Sequence, residues 1–308
     1  MAQNSGKVAI TGVSGFIGNF LAHFLGEKGW RVKGLVRPGR RLEGPRSWEV
    51  VHGCLEDFAA LRRLLEEVEV VIHCAGQVRG ASYDDFARIN VTGLENLLEV
   101  AASCKKPPRI IHFSSLAARQ PQLSWYAASK REGEERLQAR ASGLDWTILR
   151  PPAVYGPGDR EMLPVFRLMA RGIAPVPGNG ESRFSLLHVE DLAAAVEMIL
   201  ESPQPGRTFE LGDGREVGYD WFEVIEIATS LRGRPVRRLH VPLSLLSLAA
   251  GVNLTLARLF SYRPMLTPGK VREIAHSDWV ADHRELAAAT GWQPRIGLEV
   301  GLSPLCDW

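Results

Sequence analysis

Tyr126 and Lys130 stand four residues apart in the run Trp125-Tyr126-Ala127-Ala128-Ser129-Lys130. On a helix that spacing puts both side chains on one face, one turn apart. A free phenol titrates near pH ~10 and moves few protons at neutral pH. An ammonium beside it favours the phenolate. The spacing therefore predicts a tyrosine whose pKa is lowered by Lys130 and which exchanges a proton with an alcohol or carbonyl oxygen. Alone, the same pattern also describes an aromatic core residue next to a solvated lysine. What separates the two readings is the company the pair keeps.

Upstream lies Thr11-Gly12-Val13-Ser14-Gly15-Phe16-Ile17-Gly18. It follows Lys7–Thr11, an apolar run predicted as a buried parallel strand, and opens Phe16–Glu27, whose apolar residues recur at helical spacing. The glycines are spaced Gly-x-x-Gly-x-x-Gly. Gly12 permits a tight turn, Gly15 lets the backbone approach a pyrophosphate, and Gly18 allows the helix to pack closely on the strand. The free N–H groups of the helix start then face the phosphates. Strand before and helix after is the context a dinucleotide loop requires. At the end of the next predicted strand, Arg31–Val36, NAD-binding chains carry an acid for the ribose diol. Here Arg37 stands there, followed by Arg40 and Arg41. A guanidinium suits a 2′-phosphate, so NADP is favoured, with NAD as the alternative if these arginines only solvate a loop.

Further strands are predicted at 48–52, 68–74, 109–114 and 145–150. Helices are predicted at 57–67, at 83–104, and at 123–141, the last charged, solvent-facing and carrying Tyr126 and Lys130. Regular alternation of strand and helix means βαβ units with right-handed crossovers. The fold class is α/β, a doubly wound parallel sheet of the Rossmann type. After Pro151-Pro152 the alternation lapses, and Pro and Gly crowd 151–180. A helix at 189–200 and a strand at 208–211 return to the sheet, while 219–308 is mostly helical with short extended pieces. The division expected is a dinucleotide-binding domain of 1–150 plus about 189–212. A smaller, mostly helical substrate domain takes about 151–188 plus 213–308.

The 308 residues, 45% hydrophobic and 23% charged with a net charge of +2, describe an ordinary globular chain. No basic run interleaved with aromatics points to nucleic acid. The four cysteines lack CxxC or zinc spacing and read as reduced thiols of a cytoplasmic protein; the start, MAQNSGK, carries no signal-peptide pattern. The eight histidines form no HExxH and no compact ligand set, so no metal is expected. No Gly-x-Ser-x-Gly elbow suggests a hydrolase. Residues 241–260 are apolar but contain Pro242, Gly251, Asn253 and Arg258. They read as a packed or amphipathic helix pair, able to wall an apolar pocket, rather than as a membrane span; peripheral membrane contact stays open.

With the glycine loop, Tyr126-x-x-x-Lys130 and Arg150-Pro151-Pro152-Ala153-Val154-Tyr155-Gly156-Pro157 in this order, the chain resembles the extended short-chain dehydrogenases/reductases over nearly its whole length. The resemblance implies backbone amides of Phe16 and Ile17 at the phosphates. It implies cofactor contacts from Cys74, Ala75 and Gly76, and from Pro151, Ala153 and Val154 near the nicotinamide. Asn90-Val91-Thr92-Gly93 matches the family's Asn-x-x-Gly helix. Phe113-Ser114-Ser115 matches the strand end that carries a catalytic hydroxyl, and the family pattern selects Ser115. Ser115 would then polarise the substrate oxygen, Tyr126 move the proton, and Lys130 tune the tyrosine and hold the nicotinamide ribose.

The departures bear on substrate. The family's Gly-Asp-Leu at the third strand reads Gly53-Cys54-Leu55, so Cys54 and Leu55 stand at the adenine without the acid. An Asn that serves nucleotide-sugar enzymes is replaced by Ala153. Leu116-Ala117 occupies the place of the dehydratases' Asp-Glu pair. The pattern is closer to the dihydroflavonol-reductase and 3β-hydroxysteroid-dehydrogenase branch, which implies an NADP(H)-dependent interconversion of ketone and secondary alcohol on a small, fairly apolar molecule. A nucleotide-sugar epimerase with tightly held NAD, and a non-catalytic dinucleotide sensor, are the alternatives. His188 and Asp191 read as structural bonds at the domain seam. Family resemblance further implies a homodimer through helices 83–104 and 122–142.

Overall fold

The chain opens with β1 (Lys7–Thr11), α1 (Phe16–Glu27), β2 (Arg31–Val36), β3 (Glu49–His52), α2 (Phe58–Leu65) and β4 (Val70–His73). It continues through α3 (Tyr83–Ala87), a π turn (Arg88–Thr92) and α4 (Gly93–Ala102) to β5 (Arg109–Phe113). A 3₁₀ turn (Leu116–Arg119), α5 (Trp125–Ala139) and β6 (Trp146–Arg150) follow. These ranges come from a computed structural model that describes residues 6–40, 48–140 and 143–308. Arg41, the expected helix end at Ala141 and the residues ahead of Gly6 lie outside the described residues.

β7 (Ala153–Tyr155), α6 (Leu163–Ala170), β8 (Ile173–Pro177), β9 (Arg183–Phe184), β10 (Leu186–His188), α7 (Val189–Glu201) and β11 (Arg207–Glu210) come next. The chain closes with α8 (Trp221–Arg232), β12 (Arg237–Val241), α9 (Leu243–Phe260), α10 (Pro268–Ala275), β13 (Asp278–Trp279), α11 (Arg284–Thr290) and α12 (Leu298–Leu302).

The main sheet runs β11-β6-β5-β4-β1-β2-β3, and every pairing in it is parallel. It is the doubly wound fold the alternation predicts. Residue parity divides its core. Val8, Ile10 and Ile72 meet α1 and α7 through Leu21, Leu25, Leu192 and Val196. Ala9, Val71 and Ile110 meet α2 and α4 through Leu61, Leu64, Leu94 and Leu97. Strands covered on both faces need no polar alternation, which is why β4 reads VVIH and is wholly buried. The strand order reverses between β1 and β4, and ligand crevices form at the carboxyl ends there.

The segment 151–180 is more regular than its Pro and Gly content suggests. It contains β7, α6 and β8. A proline occupies the first turn of α6, where its missing N–H costs nothing. Pro175 and Pro177 lie in β8, which among the described residues pairs with β12 alone in a two-stranded sheet. β7 pairs with β10 and β9 with β13. Tyr155, Phe166, Met169, Val224 and Leu302 make a separate core here. Asp191 accepts the backbone N–H groups of Arg295 and Ile296 at 3.0 and 2.8 Å. His188 stacks edge-on to Tyr155. Both bind segments together, as the sequence suggests. Two expectations are corrected. The 83–104 helix is interrupted by the π turn, and residues 243–260 form one helix rather than a pair, because Gly251 does not break it.

Candidate active site

The glycine loop closes on itself through Gly15 N–H donating to the Gly12 carbonyl at 2.9 Å. Gly12 has φ +75, and a Cβ there would sit 2.6 Å from the Ala75 nitrogen. A Cβ on Gly18 would lie 2.4 Å from the Gly12 oxygen. Both positions exclude any larger residue. Gly15 caps α1 with no side-chain hydrogen bond, so the first amides of the helix, those of Phe16 and Ile17 included, stay open to an anion. A pyrophosphate fits this cradle.

Tyr126 and Lys130 lie on α5, which Ser124 starts by accepting the Ala127 N–H at 2.9 Å. Ser115 follows β5 and accepts the Ala117 N–H at 3.2 Å, which leaves its own proton free to donate. The Ser115 hydroxyl beside Tyr126 favours the phenolate. Burial acts more strongly in the other direction and pushes Tyr126 up to about 12; the Glu273 charge adds to the rise. The balance is upward, against the lowering that spacing predicts from Lys130. The Lys130 Nζ donates to the Phe113 carbonyl at 2.6 Å. Burial brings Lys130 itself down to about 8, against the opposing pull of Glu134.

The charged look of α5 misleads in a second respect: Ser129, Lys130, Gly133, Glu134 and Leu137 are buried. Glu134 receives Arg150 in a two-pronged contact, with Nε to Oε1 at 2.8 Å, and also accepts the Ser114 hydroxyl. Asn90, in the π turn, accepts the Gln77 N–H at 2.7 Å and donates to Ser129 Oγ at 2.8 Å. These side chains fasten α5 to the end of β5, to β6 and to the π turn. Spacing within α5 hints at Glu134, since it follows Lys130 by one turn; its partner on β6 has no local signal. His73 and His112 stack at 5.4 Å on neighbouring strand ends. Burial drives both toward the neutral form, His73 to about 3.

Most of the remaining expected cofactor residues stand just past the carboxyl ends of the sheet strands. Gly76 approaches Lys130: a Cβ on it would lie 3.6 Å from the lysine Nζ. The Cys74 N–H donates to the Thr11 carbonyl at 3.2 Å, and burial raises the Cys74 thiol. Ala75 faces Gly12. The Pro151 carbonyl accepts the Leu116 N–H at 3.0 Å, which ties the nicotinamide-end segment to the turn after Ser115. Val154 packs on the sheet core. The Leu55 side chain is core, packed against Gly93, so only its backbone and the half-buried Cys54 can meet a ligand. Arg37 is exposed at the end of β2 and makes no ion pair among the described residues.

Ser115 and Tyr126 open into a cavity of about 590 Å³. Apolar side chains dominate its wall, among them Phe86, Met162, Phe184, Trp221, Leu254 and Met265. Ala153 lines it, and at the place of the dehydratases' acid pair stand Leu116 and Ala117, 3% and 9% exposed. Glu273 reaches the wall, held by Ser124 and by Lys270 at 2.9 Å. These wall residues come from many separate elements, and sequence reasoning named few of them.

Comparison with known proteins agrees with this geometry. The family model described as "NAD dependent epimerase/dehydratase family" matches residues 8–212. The chain is 38% identical over 306 residues to a ceramide reductase of Caulobacter vibrioides, covering 98% of this chain and 94% of that protein. It is 28% identical to a 2-alkyl-3-oxoalkanoate reductase of Stenotrophomonas maltophilia, covering 65% of this chain and 67% of that protein. In fold it is similar to a dTDP-glucose 4,6-dehydratase of Bacillus anthracis in complex with NAD, with a TM-score of 0.76, 17% identity, and 98% and 95% coverage.

Proposed function

The chain belongs to the NAD dependent epimerase/dehydratase family, and from that premise we propose that it uses NADPH to reduce a ketone on a long-chain lipid of the ceramide kind. It is an enzyme of the extended short-chain dehydrogenase/reductase type. One observation carries the substrate reading: the Ser115 and Tyr126 hydroxyls face an apolar cavity of about 590 Å³ rather than a polar one. The names of the two reductase relatives, one acting on a ceramide and one on an alkyl oxoalkanoate, support it.

In this reading the ketone oxygen receives a hydrogen bond from Ser115, whose lone pair is already committed to Ala117 N–H. Tyr126 gives that oxygen its proton. A tyrosine raised to about 12 is fully protonated at neutral pH, the form a reduction needs. Lys130, buried and anchored on the Phe113 carbonyl, presents its ammonium to the nicotinamide ribose. The bound nicotinamide supplies the hydride. Gly12, Gly15 and Gly18 with the amides of Phe16 and Ile17 hold the pyrophosphate, the backbone at Cys54 and Leu55 takes the adenine side, and Cys74, Ala75, Gly76, Pro151, Ala153 and Val154 line the rest.

The test is a nicotinamide-absorbance assay on an N-acylated long-chain amino ketone, with UDP-glucose as the comparison. Oxidation of NADPH by the lipid ketone is expected. Turnover of UDP-glucose by protein purified with its own NAD, and none of the lipid, would establish the epimerase alternative instead. Cofactor choice is separately measurable. NADPH will bind about 10- to 100-fold more tightly than NADH, the worth of one or two charge-assisted hydrogen bonds. Arg37→Ala will erase most of that difference. Equal affinities in the unmodified protein would exclude Arg37 as a 2′-phosphate ligand.

A further inference from the structure

We infer that α9 lies flat in the surface of an anionic lipid bilayer and opens the substrate cavity to it. Among the described residues α9 is the one helix long and apolar enough to cross a membrane, yet only 11% of that stretch is buried. Its two faces differ in what they meet, not in polarity. Leu243, Leu246, Ala250, Leu254 and Ala257 face the protein, and Leu254 and Arg258 form part of the cavity wall. Leu245, Leu248, Val252, Leu256 and Leu259 make the opposite stripe, and Leu248 and Leu259 are 66% and 72% exposed. At 1.5 Å per residue this stripe is about 20 Å long. Phe260 extends it at 69% exposed, with Tyr262 beside it at 40%. A soluble protein rarely leaves so long an apolar row in water.

Charge indicates what covers it. Residues 227–272 contain eight Lys or Arg and no Asp or Glu, in a chain whose net charge is only +2. The local excess is therefore opposed by the rest of the molecule. Arg232 and Arg272 are engaged with backbone carbonyls and Lys270 with Glu273. Arg234, Arg237 and Arg263 are exposed and make no ion pair among the described residues. Arg238 leans over the Phe222 ring. β12, which carries Arg237 and Arg238, leads directly into α9. An apolar stripe flanked by unpaired arginines matches acyl chains beneath anionic head groups. Insertion across the bilayer is ruled out by the inner face. Asn253 donates to the Leu266 carbonyl at 2.8 Å, and Arg258 to that of Ala81. Those bonds and the cavity wall would be lost. With α9 in the interface, a lipid ketone enters between α9 and the body while its tails stay in the membrane.

The inference shares with the proposed function only a membrane-lipid substrate. It is tested by flotation of the full chain with vesicles, without cofactor or substrate. The protein will float with vesicles of phosphatidylglycerol in phosphatidylcholine and bind pure phosphatidylcholine at least about tenfold more weakly, with the difference falling as salt rises. Two variants on separate elements, Leu248→Glu with Leu256→Glu and Arg237→Glu with Arg238→Glu, will each weaken anionic-vesicle binding about tenfold or more while unfolding at the parent temperature. Protein that stays at the bottom of the gradient with anionic vesicles overturns the inference. So does light scattering that shows a dimer converted to monomer by the leucine variant with vesicle binding unchanged, since a second copy would then cover the stripe. Ketone reduction without vesicle binding defeats this inference alone; vesicle binding without ketone reduction defeats the substrate reading alone.

Discussion

Tyr126→Phe will lower turnover about a thousandfold, within the range that a positioned proton donor supplies, and will leave NADPH affinity nearly unchanged. The phenol is the group placed to protonate the substrate oxygen. The Ser115 hydroxyl, which also lines the cavity, accepts from the Ala117 N–H and serves as a hydrogen-bond donor rather than a proton source. Phenylalanine keeps the edge contact that the ring makes with Phe86 at 6.3 Å. The lost hydroxyl gives up at most one hydrogen bond, about 1 kcal/mol of stability. Single-turnover kinetics beside a cofactor titration separate the two readouts. Undiminished turnover would remove Tyr126 from the chemistry, and a parallel collapse of cofactor binding would make it a structural residue.

Lys130→Met will cost activity and raise stability. Burial takes the ammonium from 10.5 down to about 8. At about 1.4 kcal/mol per pKa unit, the folded chain carries a penalty of roughly 3 kcal/mol for holding this charge. Loss of the bond to the Phe113 carbonyl offsets about 1 kcal/mol of the gain. The penalty is full below pH 8, where both folded and unfolded chains keep the proton. Between about 8 and 10.5 the unfolded chain holds a proton the folded chain has released. The lysine's contribution to stability therefore improves as pH rises through that window. The variant's advantage, about 2 kcal/mol in denaturant unfolding at neutral pH, will shrink toward pH 10. Turnover will fall about a hundredfold or more, since the ammonium is spent on function. A variant less stable than the parent at neutral pH would contradict the buried-charge account.

The sequence was most informative where local signals coincide. Lys7–Thr11, Phe16–Glu27 and Arg31–Val36 have the expected bounds, because buried apolar strands and a glycine-punctuated helix each carry their own instruction. The doubly wound order follows from that alternation. What escaped reading is tertiary. α5 looks solvated by composition, yet its Glu134 is buried because Arg150 arrives from another strand. The tyrosine was expected to be tuned by its lysine, but desolvation, which spacing cannot report, decides its acidity. The cavity wall draws Phe86, Met162, Trp221 and Met265 from remote segments, so no short window could announce it. Within α9, period alone could not tell which apolar face meets protein and which meets solvent.

The two-pronged Arg150–Glu134 contact also works as a dowel. Glu134 enters a fixed hole one turn after Lys130, and Asn90 grips Ser129 from the side. Each residue of an α-helix turns the face by roughly 100°. A single insertion between Lys130 and Glu134 would leave every side chain present while rotating Tyr126 and Lys130 out of line with Ser115. The exposed side of α5, with Arg131 and Glu135, can change its letters freely; the count of residues between dowel and tyrosine cannot change at all.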